Sequence, residues 1–474
     1  MNDGCPSVPI EDLQRIHETA LRVLAEIGVR TDHAEMRDRL AGLGCRVAGE
    51  RIFMPSDVVT ATLARIPRAF DLHGRDVTQQ IMVAPGAVHC TNTGIFANIT
   101  DLDTGQVRRS TLADVEATTR LLDAVDQIDA VYVSLVDATE LEPHMVTVSD
   151  FAATLANTTK PLIGPGLANR SEAEAVVAMA RALRQGHDEA LRRFPVCVPF
   201  VCSISPLYFP KDVVDALIVV SEAGLPLDVL SNPVMGLTSP YTIAGTVALG
   251  HAEVLAFAVM AQVVTPGLPL LTQNTPSVAD MRSLASTTGG PETGLIRGTA
   301  MALSNWLELP GCAHGHSSAA RLDFQAGEEK TWNGLLIALA RPAVLGGLGG
   351  LANVTLTAYE AIVLDNERYG TFRRILDGVK ADADHLAFDV IAAVAEGGSA
   401  VSHEHTLHYL HSDEVWMSRL AIRRGLVDGL PSTETSLDRA RSEARRLLET
   451  HRVEPLPQEV RSEIGGILAA HRER

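Results

Sequence analysis

Between residues 87 and 349 short apolar runs alternate with longer amphipathic segments, and few architectures accept that pattern. The runs are AVHCTN (87–92), AVYVSLV (130–136), KPLIGP (160–165), PVCVPFV (195–201), PLDVLS (226–231), LPLLTQN (268–274), LPGCAHG (309–315) and PAVLGGLG (342–349). Helical periodicity fills the intervals, as in TLADVEATTRLLDAV, SEAEAVVAMARAL, KDVVDALIVVSEAG, AGTVALGHAEVLAFAVMAQVV and AGEEKTWNGLLIALA. Eight repeats over about 270 residues match a (β/α)8 TIM barrel better than an open doubly wound sheet, the α/β alternative. Before the repeats, residues 1–85 read as a small N-terminal α+β cap. Its first helix spans 10–28 and closes at Gly28; a second starts with Ser56 as N-cap. Residues 86–370 form the barrel core. Residues 371–474, with DHLAFDVIAAVAEGG, SLDRARSEARRLLETHR and PQEVRSEIGGILAAHRER, form a C-terminal helical extension packed on the barrel.

Of the 474 residues 46% are hydrophobic and 21% charged, enough for a sizeable core and too apolar for general disorder. The net charge of -18, with basic residues dispersed, lacks the footprint of a nucleic-acid binder. Cys5, Cys45, Cys90, Cys197, Cys202 and Cys312 show no CxxC spacing and no disulfide framework, which fits a reducing compartment. The opening MNDGCPSVPIEDLQRIHE has no secretory pattern, and no run approaches the ~18 uninterrupted apolar residues of a membrane span. A cytoplasmic protein is expected, and its exposed helix faces permit a homo-oligomer.

In such a barrel the chemistry lies at the C-terminal ends of the strands. Those ends carry Asn92, Thr93, Asp137, Pro165, Ser203, Ser205, Asn232, Gln273, Asn274, His314, His316 and, in the last loop, Asn353. Mostly polar and uncharged, this ring suits a small polar ligand rather than a phosphate. GGLGGL at 346–351 has the wrong spacing for a dinucleotide loop and reads as close backbone packing or a ligand-facing turn. Cys312, His314 and His316 alternate on one strand and share a face. That face could ligate zinc, but three ligands on one strand are hard to gather around a tetrahedral ion, so contact with substrate or partner is the preferred reading. In HEHTLHYLH, His405, His408 and His411 fall on one helix side and read as surface or barrel-contacting residues. Asp365 and Glu367 read as a solvated face, whereas Tyr359 and Glu360 pair an aromatic ring with a carboxylate, suited to a soft organic cation.

Seven stretches carry a resemblance that spans most of the chain: IHETALRVLAEIGV, TDLDTGQVRRSTLADVEATTRLLDAVDQID (100–129), TSPYTIAGTVALGHAEVLAFAVMAQVVTPGLPLL (238–271), GGPETGLIRGTAMALS (289–304), DFQAGEEK (323–330), TAYEAIVLDNE (357–367) and EGGSAVSHEHTLHYLHSDEVW (396–416). In this order they resemble the trimethylamine methyltransferase superfamily, barrel enzymes that work with separate corrinoid proteins. The resemblance implies an SN2 displacement in which a Co(I) corrinoid takes a methyl group and the amine leaves. The trimethylamine branch uses pyrrolysine, which this chain lacks; a quaternary ammonium departs as a neutral amine without such help. The non-pyrrolysine branch resembles glycine betaine methyltransferase, so glycine betaine or a related betaine is the expected donor and a corrinoid (cobalamin) on a partner protein the expected acceptor.

On that footing Phe96, Phe324 and Tyr359, with Glu360, are expected to contact the ammonium, and Asn232, Asn274, His314 and His316 the betaine carboxylate. Asn92, Thr93 and Ser205 are expected on the corrinoid side. No acid or base is required for the transfer. The chain departs from the family at CAHGHSSAARL, where glycines and a Ser or Thr with an acidic residue are expected. The alternatives are a zinc-dependent barrel acting on a thiol or alcohol through Cys312, His314 and His316, trimethylamine as donor, and a non-catalytic betaine-binding or corrinoid-protein-docking module.

Overall fold

A computed structural model describes residues 8–423, 425 and 433–473, leaving Cys5 outside the described residues. Each of the eight apolar runs contains a strand: β1 (His89–Asn92), β2 (Val131–Tyr132), β3 (Leu162–Gly166), β4 (Cys197–Cys202), β5 (Leu227–Ser231), β6 (Leu270–Asn274), β7 (Cys312–His314) and β8 (Val344–Leu348). Strands β2 to β6 form one sheet in the order β6-β5-β4-β3-β2, and the other three form a second, β7-β8-β1. All pairings within the two sheets are parallel. The sheets meet at both edges. Thr272 of β6 bridges to Gly311 ahead of β7, and the Asp129 amide, ahead of β2, donates to the Cys90 carbonyl of β1 at 2.9 Å. The architecture is mixed α/β.

Local chemistry explains the helices between the strands. Thr111 and Asp114 form a reciprocal capping box that starts Leu112–Ala124. Lys211–Ala223 ends at Gly224 in the left-handed region (φ 76°), where a side chain would also collide with Arg192. Ile243–Val264 is long and apolar enough to cross a membrane, but 83% of its most apolar stretch is buried inside the fold. The opening helix runs Ile10–Arg22, continues as a π-turn over Val23–Ile27, and stops at Gly28. The expected cap at Ser56 sits one residue earlier: extended Pro55 is the N-cap, and the Ser56 carbonyl accepts from the Thr60 hydroxyl.

Two N-terminal pieces are built into the core. Arg30 and Thr31 pair in parallel with Tyr208 and Phe209, just after β4. The hairpin Phe70–His73 and Gln80–Val83 places Phe70, Leu72 and Val83 in one buried cluster with Ala130, Ile163, Val198, Leu271, Cys312 and Val344, so it closes the space between the strands at their N-terminal end. At the other end of the chain, Ser436–Thr450 packs on Leu112–Ala124 and Tyr359–Leu376, and Gln458–Arg472 on Pro143–Asn157 and Arg170–Ala182. The helices Ala383–Leu386, Phe388–Ala395 and Glu404–Leu410 differ from the expected packed extension, for none of their residues is buried. Phe388 and Ile391 are left largely in solvent.

Candidate active site

Neighbours in a parallel sheet project to the same side. The register aligns Phe200 of β4 with Asp228 of β5, and Asp228 with Leu271 of β6. At the C-terminal ends of the strands these inward rows open into a cavity of about 310 Å³. Its wall includes Tyr132 and Phe200, whose ring centroids are 5.7 Å apart, and His314, which meets Tyr132 edge-on at 5.1 Å. Thr93, Asn232, Gln273, His316 and Asn353 from the expected polar ring also line it, as do Thr275, Thr288 and Arg297.

Arg297 dominates the electrostatics. It comes from the helix Pro291–Trp306 and is 3% exposed. Its Nε donates to the Pro276 carbonyl at 3.0 Å, and its Nη1 to the His314 carbonyl at 2.6 Å and to His316 Nδ1 at 3.0 Å. Nη2 reaches the Thr275 carbonyl at 3.4 Å. Among the described residues no carboxylate pairs with it, and burial lowers it to about 10, so at neutral pH it is a cation without a counter-ion. A guanidinium only donates, so His316 accepts at Nδ1 and its Nε2–H donates to Thr93 Oγ1 at 3.0 Å. Burial first, and then the Arg297 charge, holds His316 well below its ordinary value; the same two causes bring His314 to about 3. Both imidazoles are therefore neutral.

His314 Nε2 lies 3.3 Å from the Cys312 sulfur, and its Nδ1 is buried without a partner. Its ring occupies the space of a missing side chain: a Cβ on Gly346 would come within 2.7 Å of Nδ1. The GGLGGL run thus serves close packing against the site. The Cys312 thiol is fully buried and pushed far up by burial, which disfavours the thiolate a metal would bind. Among the described residues no group of three His, Cys, Asp or Glu side chains is placed to hold a metal ion.

The remaining expected residues lie outside this lining. Asn92 supports it from behind: Oδ1 accepts from the Tyr132 amide and Nδ2 donates to the Tyr132 carbonyl, both at 2.8 Å. Ser205, with Ser203 and Ser231, donates to Glu253 Oε2, while the Leu207 amide donates to Oε1, so one buried carboxylate pins the ends of β4 and β5. Asn274 turns to the helical layer, donating to the Val247 carbonyl across the gap left by Gly250. Phe96 is wholly buried against Gly350 rather than on the wall, and Phe324 is 81% exposed at a helix start. Tyr359 donates to Asp114, and Glu360 accepts from Arg441 at 2.8 Å. That pair fastens the outer helices to one another.

Tyr132, Phe200, Arg297, Thr275 and Thr288 are among the lining residues that sequence reasoning missed. Alternation within AVYVSLV and PVCVPFV places both aromatics on a face, but not on which one. Arg297 is an isolated charge among small and apolar residues in TGLIRGTAMAL, a pattern that marks a buried cation.

The chain matches the family "Trimethylamine methyltransferase (MTTB)" over residues 5–473. It is 29% identical to trimethylamine methyltransferase MttB of Desulfitobacterium hafniense (strain DSM 10664 / DCB-2), over 97% of this chain and 92% of the relative. Identity to the glycine betaine methyltransferase of D. hafniense (strain Y51) is 27%, covering 84% and 82% of the two chains. Among solved structures, the monomethylamine methyltransferase of Methanosarcina barkeri superposes with a TM-score of 0.53 at 12% identity, over 94% of each chain, which shows a shared fold. The chain belongs to the trimethylamine methyltransferase (MTTB) family and is a methyltransferase.

Proposed function

We propose that this methyltransferase moves a methyl group from a quaternary betaine, glycine betaine or a close relative, to the Co(I) corrinoid of a partner protein. The observation that carries the reading is the buried Arg297 guanidinium, unpaired with any described carboxylate, on the wall that also presents the Tyr132 and Phe200 rings. A zwitterion satisfies both: its carboxylate neutralises Arg297 and its ammonium lies against the aromatic faces. Trimethylamine has no group for Arg297. The relative named as a glycine betaine methyltransferase supports the same choice.

The closed (β/α)8 arrangement, with residues 1–85 and 371–474 as its attachments, is our reading of the two edge-sharing sheets. It sets the cavity at the mouth where a partner can dock. The partner-borne corrinoid supplies the nucleophile; the C–N bond breaks, its electron pair stays on nitrogen, and the product amine is neutral. This chain's residues orient the donor and exclude water. Asn92 fixes the backbone of Tyr132, Arg297 fixes His316, and Thr93 completes the wall at the mouth. Neutral His314 and His316 add no competing charge.

The test presents Co(I) cobalamin, free and on a corrinoid protein, with a panel of methylamines and betaines and follows the visible spectrum. Methylcobalamin from a betaine and not from trimethylamine is the expected result. Methylation from trimethylamine alone refutes the choice of donor; no methylation from any compound refutes the reading.

A further inference from the structure

Asp228 is the lone charged residue in the apolar run PLDVLS. It shares a row with Phe200 and Leu271, and Leu230, two residues along the same strand face, lines the cavity. The carboxyl therefore projects into the enclosed space one layer below the cavity floor. It is 0% exposed, and neither oxygen has a hydrogen-bond partner. Ile163, Val198 and Leu271 make the surrounding layer apolar. A buried carboxyl without a donor is costly to the fold, and such a residue in a site calls for a functional reason.

The titratable groups around it bring no compensation. Tyr132, Cys202 and Cys312 are pushed upward, by burial first and by the nearby Asp228 carboxyl to a lesser degree, so each is neutral. His314, above Cys312, is neutral as well. The helical layer adds Arg297, engaged with carbonyls and His316 at the upper wall, and Glu253, engaged with serines behind β4 and β5. A positive charge for Asp228 has to come from outside the protein.

Resting on the quaternary-donor reading, we infer that Asp228 is the counter-charge for the cationic end of the ligand, the residue by which the cavity distinguishes a quaternary ammonium from a neutral body of the same shape. The rings of Tyr132 and Phe200 accept a trimethylammonium group and a tert-butyl group on nearly equal steric terms; a carboxylate beneath them does not. Burial raises the Asp228 carboxyl well above its ordinary range, so the empty site holds it protonated. Entry of a cation ionises it, and one proton leaves for solvent. Affinity for cations then increases with pH across the interval between the ordinary carboxylate range and the raised value, by up to about tenfold per pH unit.

The test is calorimetry on the full chain with tetramethylammonium, glycine betaine and 3,3-dimethylbutanoate, the neutral-headed isostere of betaine. Wild type is compared with Asp228→Asn and, as a second shape-conserving variant, Asp228→Leu. We expect either variant to weaken both cations at least about tenfold and flatten their pH dependence, with 3,3-dimethylbutanoate changed less than about twofold. Wild type should release a proton on binding tetramethylammonium, read as heat that varies with the buffer. Undiminished tetramethylammonium binding in the variants, or equal weakening of all three ligands, overturns the role of Asp228. If wild type binds tetramethylammonium but not betaine, the betaine reading falls and Asp228 is judged on tetramethylammonium alone. If wild type takes no quaternary cation, both fall.

Discussion

Replacing Arg297 with Gln tests the carboxylate end of the site. The guanidinium is 3% exposed and makes four donations, to the carbonyls of Thr275, Pro276 and His314 and to His316 Nδ1. A carboxylate facing it forms a charge-assisted hydrogen bond in a largely buried site, worth about 1.5–3 kcal/mol net. At about 1.4 kcal/mol per decade the variant should bind glycine betaine about 10- to 150-fold more weakly. Tetramethylammonium has no carboxylate and should bind Arg297→Gln about as well as wild type, or better once the like charge is gone. Gln cannot serve all four acceptors, so the fold pays some stability, and ligand affinities are compared at a temperature where circular dichroism shows both proteins native. Arg297→Lys keeps the charge without the fork and should fall between the two. Equal loss for betaine and tetramethylammonium would mean that Arg297 only shapes the wall, and unchanged betaine affinity would refute the zwitterion argument outright.

Gly346→Ala sets a Cβ 2.7 Å from His314 Nδ1, so the imidazole or β8 must shift, costing about 1–3 kcal/mol; turnover should fall with little change in chemical denaturation of the outer helices, and an unaffected methylation rate would sink the claim that His314 is packed for the site. Lys330→Met breaks a pair 2.6 Å long and 3% exposed on each side, leaving Asp365 to Arg368 and the Gly349 amide. The expected loss is about 3 kcal/mol in guanidinium denaturation, and a loss under about 1 kcal/mol would show that the remaining partners suffice.

The strands were readable because a segment buried on both faces must be apolar throughout and short, a property of the segment alone; all eight runs contain a strand. Helices were readable for the same reason, through the periodicity of one buried stripe. Family membership was legible too, as an ordered set of stretches, and of the polar strand-end ring Thr93, Asn232, His314 and His316 lie on the cavity wall. Direction was not legible. Along one strand Asn274 turns outward to Val247 while Gln273 faces the cavity, a difference of one residue that alternation permits but cannot orient. Tyr359 and Glu360 have the composition of a cation site and serve instead to anchor the outer helices, because only packing decides which partner reaches a side chain first. Arg297 on the cavity wall and the Asp228 carboxyl below it lie 69 residues apart on a helix and a strand. Their sequence positions mark each as a buried charge, but whether each finds a partner within the fold is a property of three-dimensional neighbours, and there the tertiary structure alone decides.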